Sequence, residues 1–157
     1  MTNEQDLSNI KDELEIKNLA ARFSDAANRR DSEAFGKLWT KNAEWRVLEP
    51  FPFHAEGAEN IARKFREMLN HFEMFAQMTH TGLVEISGEK AVSRWTVQEM
   101  LKGKDGKIFQ NNVAMYTDEL EKTNGEWLFA SRTYHYIYFD ESELRGRAFA
   151  LPAELGR

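Results

Sequence analysis

His80 leads the residues of this chain that could move a proton. It sits in the run Met78-Thr79-His80-Thr81-Gly82-Leu83, where strand alternation puts it on the apolar face shared by Met78, Val84 and Ile86. An imidazole in such a place titrates near neutrality and can take a proton from carbon or oxygen, provided something orients its second nitrogen. The competing reading is a core histidine satisfied by a backbone carbonyl. Glu99 is the second candidate. Along Ala91, Ser93, Trp95, Val97, Glu99 and Leu101 the other members of one strand face are small or apolar, so a carboxylate points where large apolar side chains also point. Burial would raise its pKa unless a donor pairs with it; a solvated strand end is the alternative.

Further groups could assist. Asn28 lies about 120° around a helix from the stripe centred on Ile16 and Phe23, flanking the packed face, while Asp25 falls about 180° away, toward water. An amide can hold a carbonyl oxygen or a water but cannot act as a base. Near the chain's end Tyr134, His135, Tyr136 and Tyr138 cluster with Arg132. Alternation sends His135 to one face and the tyrosines to the other, and either set could meet a cavity, with Tyr136 a candidate proton donor. His54 and His71 read as structural or exposed. No histidine pair has helical metal spacing, and there is no glycine-rich phosphate loop or nucleophile elbow. A site without metal or cofactor, or a plain binding pocket, is the expectation.

The elements that must position these groups can be read from periodicity. Ile16, Leu19, Ala20, Phe23 and Ala27 make a one-sided stripe, predicting a helix from about Leu7 or Asp12 to Arg29. Asp31 can cap a short second helix with Ala34, Phe35, Leu38 and Trp39 as its apolar face. Residues 43–48 read as a strand ended by Pro50 and Pro52, with a short extended piece near Phe53 to Ala55. A third helix over 58–72 buries Ile61, Phe65, Met68, Leu69 and Phe72. Turn signals at Ser87-Gly88, Gly103-Lys104-Asp105-Gly106 and Asn124-Gly125 then divide residues 77–139 into four strands, 77–86, 90–102, 107–121 and 126–139. Tight turns make these an antiparallel meander, and helices followed by a meander are an α+β order. A sheet this long must bend, and a helix on its concave side leaves a cavity at one end. The tail from Asp140 to Arg157, with Gly146, Pro152 and Gly156, is expected to wrap a neighbour or close the mouth of the pocket.

Composition sets the outer bounds. A chain of 157 residues with 41% hydrophobic content suits one domain, with a core at 12–139 and a tail at 140–157. A net charge of -5 without blocks of like charge argues against nucleic acid and anionic membrane surfaces as partners. The absence of cysteine suits a reducing cytosol, and the polar, acidic start MTNEQDLSNIKDELEIK lacks the pattern of an export signal, so a cytoplasmic location is expected. Phe 11, Trp 4 and Tyr 4 together make 12% of the chain, which requires either an aromatic core or a ring-lined cavity.

The order of elements resembles the SnoaL-like branch of the nuclear-transport-factor-2-like superfamily. So do four phrases: Glu15-Ile16-Lys17-Asn18-Leu19 running to Ala27-Asn28-Arg29-Arg30-Asp31, then Asn42-Ala43-Glu44-Trp45, Thr79-His80-Thr81-Gly82, and Gly125-Glu126-Trp127-Leu128-Phe129. The resemblance implies an NTF2-like, cystatin-like α+β fold: a cone-shaped barrel of a curved antiparallel sheet, with three helices of the N-terminal half, enclosing a pocket. The family includes scytalone dehydratase, hexachlorocyclohexane dehydrochlorinase, bile-acid 7α-dehydratase, polyketide cyclases and the β subunits of ring-hydroxylating dioxygenases. In its dehydratase and dehydrochlorinase members a strand histidine and an aspartate at the end of the first helix form a dyad that removes a proton from carbon. His80 matches that histidine, whereas the aspartate falls on Asn28. A first-helix tyrosine of the bile-acid enzyme falls on Phe23, its fourth-strand acid is similar to Glu99, and its late arginine falls near His135 or Tyr136.

The implied function is a cofactor-independent lyase or isomerase, of dehydratase or cyclase type, acting on a hydrophobic cyclic molecule such as a polyketide, steroid or aromatic catabolite. His80 would be the general base, Asn28 its orienter or a carbonyl anchor, and Glu99 or Tyr136 a proton donor. Phe23, Trp45, Trp95 and His135 would touch the substrate. Restoring the dyad with Asn28→Asp would then strengthen His80 as a base. The alternatives are a non-catalytic ligand-binding or assembly domain, which losing the dyad acid favours, and a dioxygenase β subunit, which a neighbouring gene for a Rieske-type α subunit would reveal. A solvent-facing His80 would move the reading toward binding. Related cones pair through the outer sheet face, so a homodimer or homotrimer is expected.

Overall fold

A computed structural model describes residues 3–155. The apolar stripe of the first segment becomes α1, Asn3–Arg29, whose Ile16, Leu19, Ala20, Phe23 and Ala27 are all buried; fully burying side chains of the Leu or Phe kind stabilises by about 1.5–3 kcal/mol each. α2, Ser32–Gly36, is capped as its sequence predicts, since the Asp31 carboxylate accepts from the Ala34 amide at 2.9 Å. It stops before the expected Leu38 and Trp39. Both are buried, but Trp39 opens β1, Trp39–Val47. After β2, Phe53–Glu56, Gly57 takes φ 81° and turns the chain into α3, Ala58–Leu69. Four long strands follow: β3, Phe72–Ser87; β4, Lys90–Gly103; β5, Phe109–Thr123; and β6, Glu126–Asp140. Residues 141–155 carry no helix or strand, and Phe149, Leu151 and Leu155 there are exposed.

The strands form one sheet in the order β2-β1-β6-β5-β4-β3. The α+β architecture is the expected one, and the meander β3 to β6 is antiparallel throughout, as the turns require; β1 joins β6 in parallel, so the sheet is mixed, and it does not close on itself. Turn chemistry could not reveal that pairing, because β1 and β6 meet across most of the chain. α1 packs against β3 and β6, and α3 against β1 and β2. Between them lies the inner face of the sheet, carrying alternate residues of β4 from Ala91 to Leu101 and of β5 from Asn112 to Leu120, every one buried. Where α1 reaches the far end of the sheet, Asp12 accepts from Lys122 at 2.5 Å and from the Trp127 indole at 3.0 Å. Burial alone would push its carboxyl up, yet these two donors outweigh it and hold Asp12 below its ordinary value.

Bulges decide which residues share that face. In β3 the register steps from Thr79 opposite Val97 to Gly82 opposite Trp95, so three residues advance against two. The extra residue reverses the alternation: Phe75, Gln77 and Thr79 face inward before it, and Gly82, Val84 and Ile86 after it. Gly82 is required there. A Cβ would lie 2.3 Å from the Trp95 ring and 2.4 Å from the Arg94 carbonyl oxygen. Gly82→Ala is therefore expected to cost about 1–3 kcal/mol by overpacking, read as a lowered midpoint in urea at unchanged m-value. An unaltered midpoint would mean that the bulge does not depend on this close approach.

Among the described residues, no helix is long and apolar enough to cross a membrane. The outer face of the sheet leaves Met78, Leu83, Val92 and Ile137 exposed.

Candidate functional site

At the end of the sheet away from the Asp12 contacts, a cavity of about 170 Å³ opens between α1, α3 and the inner face. An apolar cavity of roughly this volume holds a benzene-sized molecule. Ten of its lining residues are aromatic, contributed by every element except α2 and β4; they include Phe23 from α1, Trp45 from β1, Phe65 from α3, Tyr116 from β5, and Tyr134 and Tyr136 from β6. Phe51, in the link between β1 and β2, meets Phe139 at 5.0 Å and Tyr136 at 6.3 Å between ring centres, beside the opening.

The polar groups in this lining are few and wired together. Glu99, inward-facing on β4, accepts from the Gln77 amide nitrogen at 2.6 Å on one carboxyl oxygen and from the Tyr134 hydroxyl at 2.8 Å on the other. Gln77 in turn has its carbonyl oxygen fixed by the Ser24 hydroxyl at 2.7 Å, and Ser24 lies 2.6 Å from the Thr79 hydroxyl. Burial pushes the Glu99 carboxyl up; hydrogen bonds from Gln77, Tyr134 and Asn112 and the charge of Arg132 pull it back only in part. The same burial, with Glu99 nearby, raises the Tyr136 phenol to about 12 and shifts Tyr116 and Tyr134 up as well.

Beneath the cavity floor sits a second polar pair. Arg132 is wholly buried, its Nε 3.0 Å from Asp118, and its guanidinium lies 4.0 Å from the Tyr116 ring centre, 4.2 Å from Phe23 and 4.4 Å from Phe129. Asp118 also accepts from Ser93 at 2.8 Å, and Ser93 accepts from the Trp95 indole at 2.9 Å. Burial raises the Asp118 carboxyl, against the lowering effect of the Arg132 charge.

Of the residues singled out from the sequence as site groups, the fold brings Glu99, Tyr134, Tyr136, Phe23 and Trp45 to the cavity and leaves His80, Asn28, Trp95, His135 and Tyr138 outside its lining. His80 is exposed. Reading alternation backward from Val84 and Ile86 put it indoors, but the bulge at 80–81 reverses that assignment. Asn28 does not orient it. Its amide donates to the Gln77 carbonyl at 2.9 Å and accepts from the Gln77 N–H at 2.7 Å, docking α1 onto the backbone of β3. Trp95 is buried away from the cavity, under Gly82, and His135 faces the other side of the sheet, 2.9 Å from Thr117. Alternation separates His135 from Tyr134 and Tyr136 as expected, but a further bulge, at Ile137, turns Tyr138 outward as well.

Sequence reasoning misses Gln77 and Ser24 as site groups and names Tyr134 only among the tyrosines of its face. Ser24 stands eight residues after Ile16, on the flank of the stripe, where a small polar residue could have drawn notice. Gln77 gave no such signal without knowledge of the bulge.

Only an amide can serve both backbone groups of Gln77. Asn28→Asp would set a carboxylate oxygen against the Gln77 carbonyl, so it is expected to destabilise by about 1–3 kcal/mol without creating a dyad. Thermal unfolding at neutral pH checks this, and a variant as stable as the wild type would show that the docking contributes nothing.

Comparison with known proteins agrees with this architecture. The model of a family described as a SnoaL-like domain matches residues 8–133. A hexachlorocyclohexane dehydrochlorinase (LinA-type3) from Novosphingobium barchaimii LL02 superimposes with a TM-score of 0.78 at 23% identity, over 94% of this chain and 99% of that one. A protein assigned as a scytalone dehydratase from Novosphingobium aromaticivorans DSM 12444 gives 0.76 at 17% identity, over 90% and 97%. An NTF2-like protein with a cystatin-like fold, also from Novosphingobium aromaticivorans, gives 0.72 at 22% identity, over 85% and 87%. At these identities the likeness is one of fold.

Proposed function

The chain belongs to the SnoaL-like domain family, and from that premise we propose that its aromatic cavity binds a small hydrophobic cyclic molecule and acts on it without a cofactor, as a lyase or isomerase, with Glu99 in place of His80 as the proton-transfer group. The observation that carries this reading is the setting of Glu99: a carboxylate buried in the cavity wall, its two oxygens held by Gln77 and Tyr134, its pKa raised by burial. A carboxylate shifted up from its usual range is a stronger base, and at neutral pH it is closer to its working range for taking a proton from carbon. Two fixed donors hold it in one orientation, and Tyr136, with its phenol at about 12, stands near as a donor to a developing oxyanion. The dehydrochlorinase and dehydratase neighbours support the reaction class by their fold.

A ligand-binding domain without turnover is the second reading. It is favoured by the exposed His80 and by the use of Asn28 in the fold, which together remove the family dyad. The test is a panel of cyclic β-hydroxy ketones and halogenated cyclic compounds, with binding followed by tryptophan fluorescence and turnover by product analysis. Turnover that depends on Glu99 supports the enzyme reading; saturable binding without product from any compound supports the second.

A further inference from the structure

Three side chains that carry a charge near neutral pH in their ordinary state, Glu99, Asp118 and Arg132, are buried around the cavity and under its floor, and their formal charges do not cancel. Asp118 and Arg132 form an ion pair at 3.0 Å, so their charges offset each other. Glu99 has no such partner in contact: among the described residues no Lys, Arg or His lines the cavity, and Arg132, whose charge reaches Glu99, is paired with Asp118. Both of its oxygens take hydrogen bonds, one from Gln77 and one from Tyr134, an arrangement that can hold a carboxylate in place. The orientation of Gln77 is itself fixed by Ser24, which holds its carbonyl and leaves the NH₂ for Glu99. A site wired for a negative charge, walled by ten aromatic residues and lacking a cation, calls for one from outside. Aromatic faces carry negative potential and attract ammonium groups most strongly where water is excluded. The protein uses two of the same rings in this way within its own fold, where the Arg132 guanidinium lies over Phe23 and Tyr116.

We infer that the ligand of this cavity is an organic cation, a ring compound carrying a protonated or quaternary amine whose positive nitrogen lies between the aromatic walls and the Glu99 carboxylate. The inference rests on the reading of this cavity as the ligand site and adds the charge of the ligand. The nitrogen completes the electrostatics that the fold leaves open, and the ring fills a volume suited to about one six-membered ring. A carboxylate or phosphate ester would meet Glu99 head-on with no compensating cation in the wall. A neutral ring would gain the apolar contacts alone.

The test compares two probes of the same shape, phenyltrimethylammonium and tert-butylbenzene, on the wild-type chain and on Glu99→Gln. Affinities are read by calorimetry and by the fluorescence change of Trp45 and its neighbours. The wild type is expected to bind the cation at least about tenfold more tightly than the neutral isostere. Glu99→Gln should lose most of that preference while keeping its affinity for tert-butylbenzene, which shows that the variant retains its cavity. Equal affinities in the wild type, or a preference that survives Glu99→Gln intact, would overturn the inference while leaving the cavity as a ligand site. Failure of both probes to bind the wild type would overturn the cavity reading along with it.

Discussion

Glu99→Gln is expected to reduce turnover of any substrate of this protein by about 10²- to 10⁴-fold, the range for removing a positioned general acid or base, while His80→Ala stays within about twofold of the wild type. The contrast follows from placement. Glu99 is in the cavity wall with both oxygens held, whereas the bulge of β3 leaves His80 in solvent. Glutamine keeps the volume and can accept from Gln77 and donate to Tyr134, so the loss would be chemical. The pH profile gives an independent check. If Glu99 is a base, kcat/KM must fall as pH drops through its folded-state pKa, and burial puts that limb above the usual carboxylate range. Stability should move the other way. A carboxyl whose pKa is raised on folding contributes stability that is present below its unfolded pKa and lost as pH rises through the folded value. Glu99→Gln should therefore gain on the wild type as pH increases. A His80→Ala variant that is inactive and fully folded would return the proton transfer to the histidine and remove Glu99 from its proposed role.

Arg132→Met is expected to destabilise the fold by about 3–5 kcal/mol, the cost of breaking a buried ion pair and leaving one charge behind. The charge left is Asp118, fully buried, with neutral donors such as the Ser93 hydroxyl beside it. Methionine would still pack against Phe23, Tyr116 and Phe129, which separates the loss of charge from the loss of volume. The double variant Arg132→Met with Asp118→Asn should recover much of the loss, because the introduced amide carries no charge and can keep the bond to Ser93. Burial already raises the Asp118 carboxyl, and removing Arg132 raises it further. The penalty in the single variant should accordingly shrink as pH falls through that higher pKa and Asp118 takes up a proton. Urea unfolding at two pH values measures both effects. A single variant as stable as the wild type at neutral pH would mean that the three rings, not the ion pair, hold this region together.

The amino-acid pattern by itself determined the element types, the meander and the family. Each follows from local physics: the α1 stripe buries the side that helical geometry predicts, the Asp31 cap forms between residues three apart, and tight turns force β3 to β6 to run antiparallel. It also placed Glu99, because β4 is regular from Ala91 to Leu101 and a period of two holds along it. Tertiary structure decided the rest of the site. The parallel union of β1 with β6 joins segments too far apart for any turn to announce. Asn28 was on the right helix but met the backbone of Gln77, a contact fixed by how α1 lies across β3. His80 shows the cause most directly. One extra residue in β3 costs little locally and reverses every side chain beyond it, and Gly82 is needed beside it because Trp95 of the next strand leaves no room for a Cβ. Alternation is a local rule, and the bulge that breaks it is set by a neighbouring strand. On β3 the identity of the inward-facing residues was therefore settled between strands and not along them.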